Sequence, residues 1–230
     1  MNKLTLAPLF LAVVTSLAAC DNDPAKDKSK ATVSEPAPVV SVAAATASAA
    51  PAAASAAAPV AAGTGKFVFS QAGSKVEWTG AKITAKHEGS FEGFTGTVNL
   101  VEGAPEKSTV TVEIDTATLK TDPQKLADHL KSKDFFDVAK FPKAKFTSTA
   151  VKAGGDKGAT HTVTGNLELH GVTKGITFPA TIKVEGDSVK VNAEFAINRK
   201  DFTLVYPGMP NDLIKDEVAI KLTIDAKKAP

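Results

Sequence analysis

The sequence predicts a mainly β fold of antiparallel strands, arranged as a sandwich or a closed barrel. Three observations predict it. Residues 109–115, 176–185, 188–197 and 217–225 alternate apolar and polar side chains with period two, as strands with one buried and one wet face do. Turn chemistry separates such runs, at Gly154-Gly155-Asp156, across residues 171–175 and at Gly186-Asp187. Fainter runs over 66–70, 75–83, 93–101, 145–152 and 160–170 bring the strands to eight or more at hairpin spacing.

The strong strands define their own inner faces. Val110, Val112 and Ile114 share one side of the first. Residues 176–185 alternate throughout except at Pro179. Val189, Val191, Ala193, Phe195 and Ile197 line one side of the third, and Val218, Ile220, Leu222 and Ile224 one side of the fourth. One helix interrupts the strands: Asp122 suits an N-cap, Pro123 the first helical position, and Leu126 and Leu130 share a face before an end near Ser132. A second short helix is expected near Asn211, with Leu213 and Ile214 turned inward.

The N-terminus reads differently. Lys3 precedes an apolar run over 4–17 that is too short to span a bilayer, which takes about 20 residues, and the run ends in Leu17-Ala18-Ala19-Cys20. A positive start, a short apolar core and small residues before a cysteine make a secretory signal whose last positions resemble the lipobox of bacterial lipoproteins. That resemblance implies cleavage after Ala19 and acylation of Cys20, the only cysteine in the chain. Residues 1–19 are therefore expected to be a lipoprotein signal peptide, and the protein to sit in the bacterial cell envelope, membrane-anchored, facing the periplasm or the exterior. Residues 20–65 are rich in Ala, Pro and Ser and carry no aromatic side chain. Too little apolar surface is available there to offset ordering entropy, so the segment is expected to be a disordered tether giving the domain reach. Residues 66–230 form the folded domain, long enough for a core of its own.

Composition excludes several functions. The 27 basic and 25 acidic side chains are interspersed and the net charge is +2, which leaves no basic stripe for nucleic acid. A single cysteine means that packing, not disulfides, stabilises the domain. The four histidines show no HxH or HxxxH spacing, so no metal site is expected. No phosphate loop, dinucleotide fingerprint or serine elbow occurs, and catalysis is not expected.

Six sequence blocks, in order, carry a family resemblance. They are 76–82 followed by 86–91; 114–121; 129–138 with Phe141-Pro142 and Phe146; 165–174; and 198–202. Together they resemble the YceI-like family of periplasmic proteins. The resemblance implies a lipocalin-like antiparallel β-barrel of about eight strands with one or two short helices, holding a polyisoprenoid chain. Phe202-Thr203-Leu204 departs from the family pattern, where many members place Gly after the Phe.

Phe67, Phe69, Trp78, Phe91, Phe94, Phe146, Phe178 and Phe195 are the candidate apolar lining. Each buried methylene-sized unit contributes roughly 0.8 kcal/mol, so an apolar interior alone gives an isoprenoid tail useful affinity. The bland alternative is that these side chains simply fill a core. His87, in a polar stretch between two strand regions, either pins a loop or meets a headgroup at the barrel mouth. His129 and His170 read as structural or exposed, and His161 as exposed. Arg199, the only arginine, lies two residues from Asp201; an ion pair between them is favoured, and contact with a headgroup is the alternative. The ligand set is thus Trp78, His87, Phe91, Phe94, Phe146, Phe178, Phe195, Arg199 and Asp201, with no cofactor beyond a bound isoprenoid lipid or quinone. The expected partners are the membrane and that small molecule; a homodimer through outer barrel faces stays open. The rival functions are a surface interaction lipoprotein with a packed barrel, and an enzyme acting on a lipid headgroup through His87 and Asp201.

Overall fold

The computed structural model describes residues 23–38 and 64–230. The signal peptide and Cys20 lie outside the described residues, as does the part of the expected tether over 39–63.

The described chain forms β1 (Ser29–Lys30), β2 (Thr32–Ser34), β3 (Gly65–Ser70), β4 (Lys75–Ala81), β5 (Lys86–Phe91), β6 (Phe94–Val101), β7 (Ala104–Asp115), β8 (Leu119–Thr121), α1 (Gln124–Lys131), β9 (Lys143–Ala153), β10 (His161–Leu169), β11 (Val172–Glu185), β12 (Ser188–Asn198), β13 (Gly208–Met209), β14 (Asp212–Leu213) and β15 (Glu217–Lys228). Strands β12, β11, β10, β9, β7, β6, β3 and β15 pair in that order, and β15 returns to β12. This is a closed eight-stranded antiparallel barrel. Closure settles the choice between sandwich and barrel.

Strand β15 is shared along its length. Its last residues pair with β3, while Ala219–Thr223 pair with β4. Strands β4, β5 and β8 thereby form a flap beside one barrel end. Lys82 bridges to Ile214 at the flap tip, joining it to the β13–β14 hairpin.

Inward side chains make two buried clusters, one around Phe178, Phe195 and Phe202 and one around Phe67, Phe69 and Phe94. Ile114, Ile182, Val191 and Leu222 pack against both, so the interior is continuous. Paired glycines and aromatics fit the rings inside. A Cβ on Gly96 would overlap the Phe69 ring, and one on Gly165 the Phe146 ring. These glycines sit at inward positions of β6 and β10, which is why both strands alternate only faintly in sequence.

Several expectations need correction. Residues 86–91, read as polar linker, form a strand: its inward positions hold His87, Gly89 and Phe91, and only the last is apolar. The expected helix near Asn211 is the β13–β14 hairpin, with Leu213 exposed. Helix α1 starts one residue later than expected. Pro123 occupies the N-cap position in extended conformation, no side chain caps it, and Asp122 lies outside.

The largest correction concerns the tether. Strands β11 and β12 pair with each other only over Thr181–Glu185 and Ser188–Asn192. Beyond that fork they separate, and residues 29–34 lie between them. Ser29 and Lys30 run parallel to Phe195 and Ala196 of β12, and Thr32 to Ser34 run antiparallel to Gly175–Thr177 of β11. Ala31 and Val33 pack against the core cluster. Residues 23–38 therefore do not belong to a disordered tether. Locally they look like one, because their order comes from backbone edges offered by strands more than a hundred residues away.

Candidate ligand-binding site

Side chains that point inward yet keep accessible surface mark the lining open to a ligand. Trp78, His87 and Phe91 are such residues, on the inner face of the flap. Phe146, Val112, Ile114 and Phe136 continue the same lining into the barrel. Phe91 meets Phe136 edge to face at 5.8 Å, a favoured aromatic geometry. Leu119, fully buried, closes the flap behind Phe91. Deeper in the wall, Phe146 tilts against Phe178 at 5.8 Å, and Phe178 stacks on Phe195 at 4.2 Å. Phe94 is buried against Ile114, its partner on β7. The apolar candidates thus fall along one interior, divided into exposed-edge and packed members.

Trp78 stands apart chemically. Its indole Nε1 is buried and has no hydrogen-bond partner among the described residues. An unpaired buried donor costs about 1–3 kcal/mol. His87 lies opposite Gly80 within the β4–β5 pair, and its imidazole makes no hydrogen bond among the described residues. It sits on a strand and not in a loop.

Arg199 and Asp201 separate. Arg199 is 4% exposed and opens a 3-10 turn over Arg199–Phe202. Its Nε donates to Lys215 O at 3.1 Å, and its terminal nitrogens donate to Leu204 O, to Ile214 O at 3.4 Å and to Asp216 Oδ1 at 3.4 Å. Its ion partner is Asp216, not Asp201 as expected. Burial pushes the guanidinium pKa down and Asp216 acts against that shift; arginine stays charged regardless. Its donors hold together two loops at the barrel end. A planar fork reaches several carbonyls at once, which sequence spacing to the nearest acid does not reveal.

The remaining histidines are also held by the protein. His129 bonds Asp134 at 3.2 Å and packs on Phe135 and Tyr206. His170 Nδ1 lies 2.9 Å from Thr203 Oγ1. His161, expected to be exposed, is only 12% exposed and faces Glu106 at 3.4 Å.

An open hollow of about 600 Å³ runs across β3, β6, β7 and β9; Phe69, Gly96, Val112 and Phe146 border it from the interior, and outward polar residues such as Thr95, Thr111, Glu113 and Lys145 make up most of its rim. That volume falls within the range of small-molecule sites. Of the candidate apolar lining, Phe69 and Phe146 border it. A second hollow, of about 290 Å³, lies at the fork between β11 and β12. Phe136 and Leu119, which meet Phe91, are members of the flap chamber that sequence reasoning did not nominate. The doublet Phe135-Phe136 just after α1, too apolar for a surface turn, was the available signal.

A closed antiparallel barrel with an aromatic interior and a flap over one end defines a lipocalin-like class of protein. Residues 67–226 match the model of the YceI-like domain, and the chain belongs to that family. A UPF0312 protein of Pseudomonas fluorescens strain SBW25 is 39% identical over 139 residues, covering 58% of this chain and 71% of the relative. A UPF0312 protein of Pseudomonas syringae pv. tomato is 44% identical over 126 residues, 52% of this chain and 65% of the relative. The crystal structure of BcnA from Burkholderia cenocepacia superposes with a TM-score of 0.62 at 25% identity, over 69% of this chain and 99% of that one. A polyisoprenoid binding domain from Saccharophagus degradans, implicated in plant cell wall breakdown, superposes with a TM-score of 0.57 over 72% and 99% of the two chains. At 14% identity that is a likeness of fold alone.

Proposed function

We propose that this protein is a membrane-anchored carrier of an apolar amphiphile, a polyisoprenoid lipid or isoprenoid quinone whose chain lies in the barrel. The observation that carries this reading is the half-buried inward lining from Trp78 and Phe91 through Phe136 to Phe146, continuous with an apolar interior. A long flexible apolar chain gains from each methylene it buries there. The unpartnered Trp78 Nε1 supports the reading, as a donor that a headgroup oxygen would satisfy. The fold it shares with a polyisoprenoid binding domain supports the same ligand class. Binding is the whole of the activity in this reading, and no residue is assigned a chemical step.

Anchoring through Cys20 is part of the proposal. With residues 23–38 held on the barrel, the leash is the three residues from Cys20 to Asn22, about 10 Å when extended. The barrel is thereby held close to the bilayer that supplies its ligand, and the Ala/Pro-rich run 39–63 connects two parts of one domain.

Trp78 is the only tryptophan, so its fluorescence reports on the flap chamber alone. Titrating the chain with a short-chain ubiquinone is expected to quench that signal saturably at about one equivalent, with micromolar affinity or better. Quenching that stays linear in quinone overturns the reading.

A second reading has one observation in its favour. Ile83, Val205, Met209 and Leu213 are large apolar side chains exposed around the flap tip and the adjoining loop, where a protein partner would dock on a packed barrel. It predicts the same quinone result as an empty barrel.

A further inference from the structure

The fork between β11 and β12 is built as an opening. Both strands curve away from each other after Thr181 and Asn192, leaving edges that the ring itself does not pair. Just below the inserted segment, the second hollow is bordered by Ala180, Ala193 and Leu222 together with polar residues such as Asn192, Glu194 and Lys221. Ala180, Ala193 and Leu222 belong to or pack against the apolar interior. Just behind the segment, on the two sides of the fork, stand the stacked rings of Phe178 and Phe195. What fills the fork comes from outside the residues that match the family, 67–226.

The filling segment is held by Ala31 and Val33 against the core cluster, by short ladders and by polar ties. Its strands β1 and β2 are two and three residues long. Beyond the ladder bonds, the Asn166 side chain clamps Ala37, accepting from its N–H at 2.9 Å and donating to its carbonyl at 2.6 Å. Further ties are the Lys157 Nζ donation to Asp27 O and three ion pairs, Lys30 to Glu217 and Lys174 to Glu35, both at 3.1 Å, and Lys28 to Glu194 at 2.6 Å. Exposed pairs of this kind stabilise little. Short edge ladders with exposed bonds are the parts of a fold that open most readily.

We propose that the β11–β12 fork is a lateral entrance for the isoprenoid chain and that residues 29–34 are its removable stave. Release of the segment exposes a slot through the wall opposite Phe178 and Phe195, so that a chain enters sideways from the bilayer without threading the flap end. The segment is continuous with the leash, which places the entrance on the side of the barrel nearest the anchor. This inference rests on the carrier reading.

The test locks the stave. Thr32 and Thr177 are register partners. The full chain carrying Thr32→Cys and Thr177→Cys, with Cys20→Ser so that no other thiol is present, is oxidised or reduced and mixed with a dansyl-tagged farnesyl chain. Energy transfer from Trp78 to the dansyl group gives the uptake rate. Oxidation is expected to slow uptake about tenfold or more, since the rate follows the population of the open form, and reduction restores it. Asn166→Ala, which loses only the clamp, is expected to take up the probe faster than the unaltered chain. Equal rates in oxidised and reduced protein, or no acceleration by Asn166→Ala, overturn the entrance while leaving the carrier standing. Failure of the unaltered chain to bind the probe at all removes both.

Discussion

The indole of Trp78 lies across Gly89, its register partner on β5, so closely that a Cβ on that glycine would overlap ring atoms Cζ2 and Cε2. The flap exists in this form because one strand gives up a side chain to let the ring lie flat. The same ring has Gly80 beside it, but there a Cβ would sit at ordinary contact distance, 3.7 Å from Cζ3. Gly89→Ala is therefore expected to cost about 1–3 kcal/mol, because the added methyl must displace the Lys120 carbonyl of β8 as well as the ring. Gly80→Ala is expected to change stability by less than about 0.5 kcal/mol. Urea unfolding midpoints of the two variants measure the contrast.

Trp78→Phe keeps an aromatic ring on the flap and removes the buried Nε1 donor. Relief of the unpaired donor offsets the lost ring contacts, so stability is expected to shift by no more than about 1 kcal/mol. Affinity for an oxygen-headed isoprenoid is expected to fall about tenfold, the worth of one hydrogen bond. Affinity for a plain hydrocarbon such as squalene stays unchanged. Equal losses for the two ligands would show that the indole contributes area and no hydrogen bond; calorimetric titration of both decides.

Arg199 is the hub of the barrel end, with donors on the carbonyls of Leu204, Ile214 and Lys215. Lysine keeps the charge and loses the fork. Arg199→Lys is expected to destabilise the chain by about 2–4 kcal/mol. Asp216 is 40% exposed on its side chain, and Asp216→Asn is expected to cost about 1 kcal/mol or less. Asp201→Asn is expected to be neutral within about 0.5 kcal/mol. A larger effect at Asp201 than at Asp216 in thermal unfolding would contradict this arrangement.

Acid loosens the flap tip from the β13–β14 hairpin. Asp212 accepts from Lys82 Nζ at 2.7 Å and from the Thr84 N–H and Oγ1 at 3.1 and 2.9 Å. The lysine hydrogen bond leads in holding its carboxyl below the usual range, with the Thr84 bonds adding to it and burial opposing. A carboxyl lowered in the folded state contributes stability above its unfolded value, near 3.9. That contribution is lost as pH falls through the lowered folded value. Exchange at the Thr84 amide, corrected for intrinsic rates, is expected to accelerate relative to barrel amides below about pH 4. Asp212→Asn should show the faster exchange at every pH.

The strong strands were legible because alternation is a local property. Val110, Val112 and Ile114 point inward as their spacing requires, and so do Val189 to Ile197 on β12. The strands that faded in sequence share one physical cause. Gly89, Gly96 and Gly165 occupy inward positions where Trp78, Phe69 and Phe146 fill the space from a neighbouring strand. The apolar payload is present, but on the partner. Residues 29–34 were illegible for a different reason. Ser29-Lys30-Ala31-Thr32-Val33-Ser34 has little pattern of its own and becomes strand only because β11 and β12 part. At the candidate site, the aromatic residues were readable as inward positions. Which of them keep accessible surface was not, since that depends on the flap and on Phe136. The Asp201 pairing failed because Arg199 turns toward a loop that is distant in sequence order until the barrel closes.

The central claim is that the barrel holds an isoprenoid chain, and mass spectrometry of an organic extract tests it most directly. The chain is purified without detergent from a bacterial envelope, with residues 29–34 retained because they belong to the wall. The account predicts a single isoprenoid lipid or quinone at near one equivalent, lost in variants that fill the flap chamber. An extract free of isoprenoids, from protein that also fails to take up added quinone or polyprenyl phosphate, would contradict it and leave a packed barrel whose function lies on its surface.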